Sequence, residues 1–261
     1  MRKHQSRRHL IIKGARYTWP QGVPPSAIFT EERRDEHSMW GKFDFPHGSA
    51  RVAWAIQEDF WSTRGQVLTE QYFDALGRPH GLELSRHKDG STQWQVAWVR
   101  GWMHGLARQF DEAGRELYRT RFIHGSGVDL WLNGREVTEL REMERNVPHG
   151  VERWGHPQLP YEECHFVRGR RTGIFRRWTG LRLDPGYPKF LIDDREVSRA
   201  TYLRARKRNP ETPAYKPHEN MRRRPLHAVF RRTWLRKEVR ANLMRIPDPE
   251  EWIGCGAPED S

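Results

Sequence analysis

The chain has 261 residues, with 46 Lys and Arg against 34 Asp and Glu and a formal charge of +12. Only 36% of residues are hydrophobic, yet 12 Trp, 11 Phe and 7 Tyr are present. That mixture excludes a disordered polymer, which is poor in aromatics, and equally a thick globular core. No run approaches the roughly 18–20 apolar residues that span a bilayer. Cys164 and Cys255, far apart and without a CxxC pair, exclude a disulfide framework and a cysteine-based zinc site of the usual spacing.

Residues 1–16 carry Arg2, Lys3, Arg7, Arg8, Lys13 and Arg16 and no acid. Arg7-Arg8 before Leu10-Ile11-Ile12 lacks the apolar run and cleavage site of an export signal, and the two isolated cysteines make a reducing, cytoplasmic location the expectation. Pro20, Pro24 and Pro25 make 17–30 an extended lead-in, and residues 1–39 form a basic arm ahead of the first domain. Trp40-Gly41-Lys42-Phe43-Asp44-Phe45-Pro46-His47-Gly48 then reads as a degenerate first repeat unit.

From Gly81 a repeat is plain. Glycines stand at 81, 105, 127, 150 and 173, each followed by Leu, Val or Ile. His80, His104 and His149 precede three of them, and Phe110, Trp131, Trp154 and Trp178 follow four or five places after the last four. The longer step from Gly48 to Gly81 implies an insertion or a skipped hairpin. Asp89-Gly90, Asn133-Gly134, Arg100-Gly101, His124-Gly125 and Arg168-Gly169 suit tight turns, because glycine accepts positive φ without a Cβ clash. Trp94, Val96 and Trp98 alternate with polar residues or Ala, the period-two signature of a strand. Each unit is a β-hairpin, and the fold class expected for 40–183 is mainly β: a single-layer antiparallel meander of repeated hairpins.

Tyr72-Phe73-Asp74-Ala75-Leu76-Gly77-Arg78-Pro79-His80-Gly81 and Gly105-Leu106-Ala107-Arg108-Gln109-Phe110-Asp111-Glu112-Ala113-Gly114 carry a resemblance. Over residues 40–180 or so the chain resembles the bacterial MORN-repeat variant family, whose units read as aromatic-x-x-x-Gly, a second strand, then a polar residue and Gly. Proteins with these repeats are commonly labelled antitoxins. The resemblance implies neutralisation of a protein partner and no chemistry of the chain's own.

The third segment, 184–261, opens with a turn at Asp184-Pro185-Gly186, followed by a last strand and turn over Lys189–Asp194. Ser198 can cap a helix over 199–208, halted by Pro210, and prolines to 225 predict an extended connector. A second helix is expected over about 226–245, before an acidic tail. Residues 195–245 hold 13 Arg and 3 Lys against four Glu, so this helical module is strongly basic.

Chemistry is sought without yield. Successive repeat histidines are about 10 Å apart in a stacked meander, too far to share a zinc ion, and no HExxH or phosphate-cradling glycine motif occurs. Cys164 and His165 point to opposite faces of a strand. The chain is expected to be no enzyme and to need no cofactor or metal. The first reading is a protein-binding repeat protein, antitoxin, immunity or scaffold in type, with Trp94, Trp98, Trp131, Trp154 and Trp178 as partner-binding anchors. The alternative is an accessory nucleic-acid binder. It would use Arg204, Arg206, Lys207, Arg208, Arg222, Arg223, Arg224, Arg231, Arg232 and Arg236, which could also meet an anionic membrane surface.

Overall fold

The computed structural model describes residues 9–133, 136–155, 161–180 and 182–221. The helix expected over 226–245, Arg222–Arg224, Arg231, Arg232, Arg236 and Cys255 lie outside the described residues. The protein is mainly β, an antiparallel meander of hairpins in two compact units that divide after Ser126.

In the first unit β1 (His9–Ile12) and β2 (Ala15–Thr18) form a separate hairpin. Eight strands follow in strict order: β3 (Ile28–Arg34), β4 (Ser38–Phe45), β5 (Gly48–Ala55), β6 (Val67–Asp74), β7 (Pro79–Arg86), β8 (Thr92–Val99), β9 (Trp102–Phe110) and β10 (Glu116–Phe122). The expected insertion is the 56–66 loop between β5 and β6. The arm is more than a lead-in. Leu10, Ile12, Tyr17 and Trp19 pack with Met39, Phe43, Val52 and Trp54, so the N-terminal hairpin forms a second layer over one face of β3–β6. The signal for it is Lys13-Gly14, where both φ angles are positive, as a type I′ turn requires.

Two turn designs recur. The two-residue I′ turns Arg100-Gly101, His124-Gly125 and Arg168-Gly169 have positive φ at both positions, as do Arg145-Asn146 and Asp193-Asp194, which lack glycine. In the second design an aspartate starts a wider turn. Asp74 Oδ1 accepts from the Leu76 and Arg78 amides, at 3.0 Å each, and Oδ2 from Arg78 Nε at 2.8 Å. Asp111 and Arg115 repeat the arrangement at 2.9 Å for both amide and Nε. Gly77 and Gly114 take the left-handed position in these turns.

The second unit orders β11 (Gly127–Asn133), β12 (Glu136–Glu144), β13 (Val147–Trp154), β14 (Tyr161–Val167), β16 (Gly173–Thr179), β18 (Lys189–Ile192) and β19 (Arg195–Val197). Short β15 (Arg170–Arg171) pairs with β14, and β17 (Arg182–Leu183) with β16. Helix α1 (Arg199–Arg208) starts where Ser198 Oγ accepts from the Thr201 amide at 3.1 Å. Its Tyr202 is fully buried against Ile174 and Phe190.

The connector is not extended throughout. Helix α2 (His218–Met221) forms because Arg176, with no exposed side-chain surface, reaches it. Arg176 Nη2 donates to Glu219 and Nη1 to Glu163, both at 3.0 Å, while Nε donates to Asn220 Oδ1 at 2.9 Å. Arg153 Nε donates to the other oxygen of Glu163 at 3.1 Å.

Candidate functional site

The repeat histidines and glycines share a mechanical role. His80 Nδ1 accepts from the Arg100 amide at 3.3 Å, His104 Nδ1 from the His124 amide at 3.4 Å, and His149 Nδ1 from the Arg168 amide at 3.3 Å. Beside each bond the second turn residue donates to the carbonyl that precedes the histidine: Gly101 to Pro79, Gly125 to Met103 and Gly169 to Pro148, all at 2.8 Å. Each bulge therefore grips the turn about twenty residues on. A fourth grip replaces histidine with Thr172, whose Oγ1 accepts from the Asp193 amide at 3.0 Å while the Asp194 amide donates to Arg171 O at 2.9 Å. The bulge explains the glycine. Register passes from Glu83 to Pro79 while the opposite strand moves only from Gln71 to Phe73, and Gly81 sits inside at φ +100°. At Gly105, φ +113°, a Cβ would also stand 3.1 Å from Ala97 Cβ.

The His104 bond requires an unprotonated Nδ1, which makes that grip acid-sensitive. Burial holds His104 below the ordinary histidine value of 6.5, helped by positive repulsion from His124 and Arg121. A folded-state pKa below the unfolded one means that the native form resists protonation. The stability linked to it is full above 6.5 and is lost as pH falls through the lowered folded value. Urea midpoints are expected to be level above about pH 7 and to fall below it. His104→Gln, which can still accept from the His124 amide, is expected to flatten that decline. An identical pH profile in the variant would remove His104 as its cause.

Cys164 is buried, and burial pushes its thiol up to about 12, so it carries no thiolate at neutral pH. Among the described residues no group of three or more His, Cys, Asp or Glu could hold a metal ion.

The tryptophan anchors divide. Trp178 is buried, its ring 5.3 Å from that of Tyr161. It is a core residue, and this corrects its assignment as a partner anchor. Trp94 and Trp98 are half-buried on the same face of β8, and the indole N–H of Trp98 donates to Glu83 Oε2 at 2.8 Å. Gln71 Nε2 donates to the same oxygen at 3.2 Å, and burial raises the Glu83 carboxyl. Trp131 is half-buried on β11, and Trp154 is exposed at the end of β13.

The other face of β7–β9 is the open one. Leu82 pairs with Ala97, and Val99 with Trp102, so these four side chains share a face. Leu82 is 41% exposed, Val99 42% and Trp102 39%. Continuity of pairing from Leu84 through Glu70 to Val52 shows that it is the face covered by the β1–β2 hairpin farther along the sheet. The cover stops, and an apolar row is left in water. Leu82 is the aliphatic residue after the repeat glycine Gly81, and the signal for Trp102 is its place directly after the Arg100-Gly101 turn.

A cavity of about 920 Å³ in the first unit opens between the 18–25 segment, the 63–67 end of the insertion and the β7–β8 turn. At its base Glu70 is fully committed, paired with Arg86 and accepting from Tyr72 OH at 2.8 Å. In the second unit Arg204, Lys207 and Arg208 of α1 are exposed, Arg206 is half-buried, and no carboxylate pairs with any of the four among the described residues. No described helix is long and apolar enough to cross a membrane. No family model matches the chain, and neither a curated protein nor a solved structure matches it.

Proposed function

We propose that the chain is a non-enzymatic, cytoplasmic, protein-binding repeat protein of MORN-like kind, antitoxin, immunity or scaffold in type. One observation carries the reading: the exposed row of Leu82, Val99 and Trp102 on a sheet whose turns are gripped in place. A stiff surface loses little entropy on binding, and Trp is among the residues that dominate interface hot spots. Trp154 adds a second exposed ring on the other unit. Trp94 and Trp98 support the sheet from its opposite face.

A tagged chain expressed in its native host is expected to retain one protein at fixed stoichiometry. Trp102→Ala is expected to weaken that complex by at least about thirtyfold, the weight of one hot-spot residue, with the melting temperature unchanged. Recovery of no stoichiometric protein, or a complex indifferent to Trp102→Ala, overturns the reading.

The unpaired Arg204, Lys207 and Arg208 favour a second reading, an accessory nucleic-acid binder. Titration of duplex and single strands against salt separates the two, since each neutralised phosphate adds about 0.7–0.9 to the log–log slope. Absence of affinity at low salt, or a slope unchanged when these three become glutamine, excludes it.

A further inference from the structure

Phe60 and Trp61 stand at the tip of the 56–66 loop, 80% and 76% exposed, their rings edge to face with centroids 4.7 Å apart. The loop beneath them is tied down. Asp59 Oδ1 accepts from the Trp61 and Ser62 amides at 2.7 Å each and from Ser62 Oγ at 2.9 Å. The Asp59 amide donates to Ser62 O at 3.0 Å, and Lys88 Nζ donates to Asp59 O at 2.6 Å. At the loop's far end the Gly65 amide donates to Ala55 O at 2.8 Å, and Gly65 O accepts from the Thr18 amide at 2.7 Å. Two large rings are thus held in water on a backbone whose shape is already set, so burying them costs little ordering entropy.

The 920 Å³ cavity lies against the same loop. Trp19, Val23, Pro25 and Val67 supply its apolar walls, and Thr63 and Gln66 of the loop itself form one side. It is roomier than two aromatic side chains.

We propose that the Phe60–Trp61 finger of one chain docks in this socket of a second copy, forming a two-fold dimer. Three observations favour a second copy over other occupants. First, finger and socket share one loop, so a two-fold axis beside 56–66 seats both fingers in both sockets at once, as an isologous contact requires. Second, the area suffices only when doubled. Rings of this size bury roughly 150–250 Å² each, so two fingers and their socket walls remove on the order of 1,000–1,500 Å². That reaches the range of specific interfaces, whereas a single finger in a foreign protein gives half of it. Third, the rim is close to neutral. Lys88 pairs with Glu58 and Asp59 is saturated by its own loop, which leaves Arg64 as the uncommitted cation of the rim among the described residues. An anionic lipid surface or a nucleic acid needs several.

The Leu82–Val99–Trp102 row lies toward the opposite ends of the strands, at the Arg100-Gly101 turn, so dimerisation leaves it open and the two surfaces fail independently.

Sedimentation velocity on the full chain over a wide concentration range is expected to show a monomer–dimer equilibrium. F60A/W61A is expected to raise the dimer dissociation constant by at least about thirtyfold. Pro25→Arg, which places a charge in the socket, is expected to do the same with both fingers intact. Because Phe60, Trp61 and Pro25 are exposed, circular dichroism of each variant is expected to match the wild type. A wild-type chain that stays monomeric throughout overturns the proposal, as does a dimer that survives either variant. Wild-type monomer that co-sediments with phosphatidylcholine–phosphatidylglycerol vesicles, and loses this in F60A/W61A, overturns it too and assigns the finger to lipid.

Discussion

Arg176→Met is expected to cost about 3–5 kcal/mol of stability in urea unfolding, the range for removing one partner of a buried ion pair. Arg176 has no exposed side-chain surface and joins Glu163 of β14 to Glu219 and Asn220 of α2. Methionine fills the volume but leaves Glu163, itself almost fully buried, with one less cation beside it. It also removes the bonds from Arg176 to α2, leaving the hydrogen bond from Asn220 Nδ2 to Tyr215 OH, 2.8 Å, whose ring packs on Phe190 of β18, as the side-chain tie that remains among those described. Amide exchange over 218–221 is therefore expected to accelerate toward that of an unstructured peptide. Arg176→Lys keeps the charge without the planar fork that serves three acceptors, and is expected to fall between. A loss below about 1 kcal/mol in the methionine variant would mean that the network is solvated and holds nothing.

The second large effect is expected at Trp54. Trp54→Ala should cost about 3–5 kcal/mol, as for other buried aromatics cut back to alanine. Its ring is fully buried among Tyr17, Phe29 and Phe43, with centroids 5.9–6.2 Å away. Its indole N–H donates to Thr18 O at 2.7 Å, which ties β2 to the sheet. Trp54→Phe keeps most of the apolar contact and gives up that bond, so about 1–2 kcal/mol is expected. Guanidinium unfolding followed by near-ultraviolet circular dichroism reads both. Equal losses in the two variants would show that the hydrogen bond, and not the packing, holds the N-terminal hairpin.

Much of this architecture can be read from local sequence. A glycine that needs positive φ, an aspartate that closes its own turn and a period of two along Trp94, Val96 and Trp98 involve residues only a few positions apart. Ser198 capping α1, with Pro210 just beyond Asn209 as the stop, is equally local, and the structure follows it residue for residue. The insertion after β5 shows itself as a long step in the glycine spacing. The same spacing also predicts that the histidines before glycine are structural, although it cannot say what they hold.

What they hold lies about twenty residues away. The amide that His80 accepts from belongs to Arg100, and Arg176 reaches Glu219 forty-three positions on. Pairings of that kind have no local signature, because they follow from which strands become neighbours and from the extra residues in each bulge. The candidate surface depends on the same tertiary facts. Trp94, Trp98 and Trp102 look alike in composition, and only strand register sorts the first two from the third. Period two makes a strand two-sided, but it does not say which side a second layer will cover. The β1–β2 hairpin decides that by covering β3–β6 and stopping short of β7–β9. Sequence alone therefore determined the meander, its turns and the basic charge of its ends, since each rests on short-range φ, capping and charge. Tertiary structure alone decided which aromatics meet water, because exposure depends on how far a distant hairpin reaches.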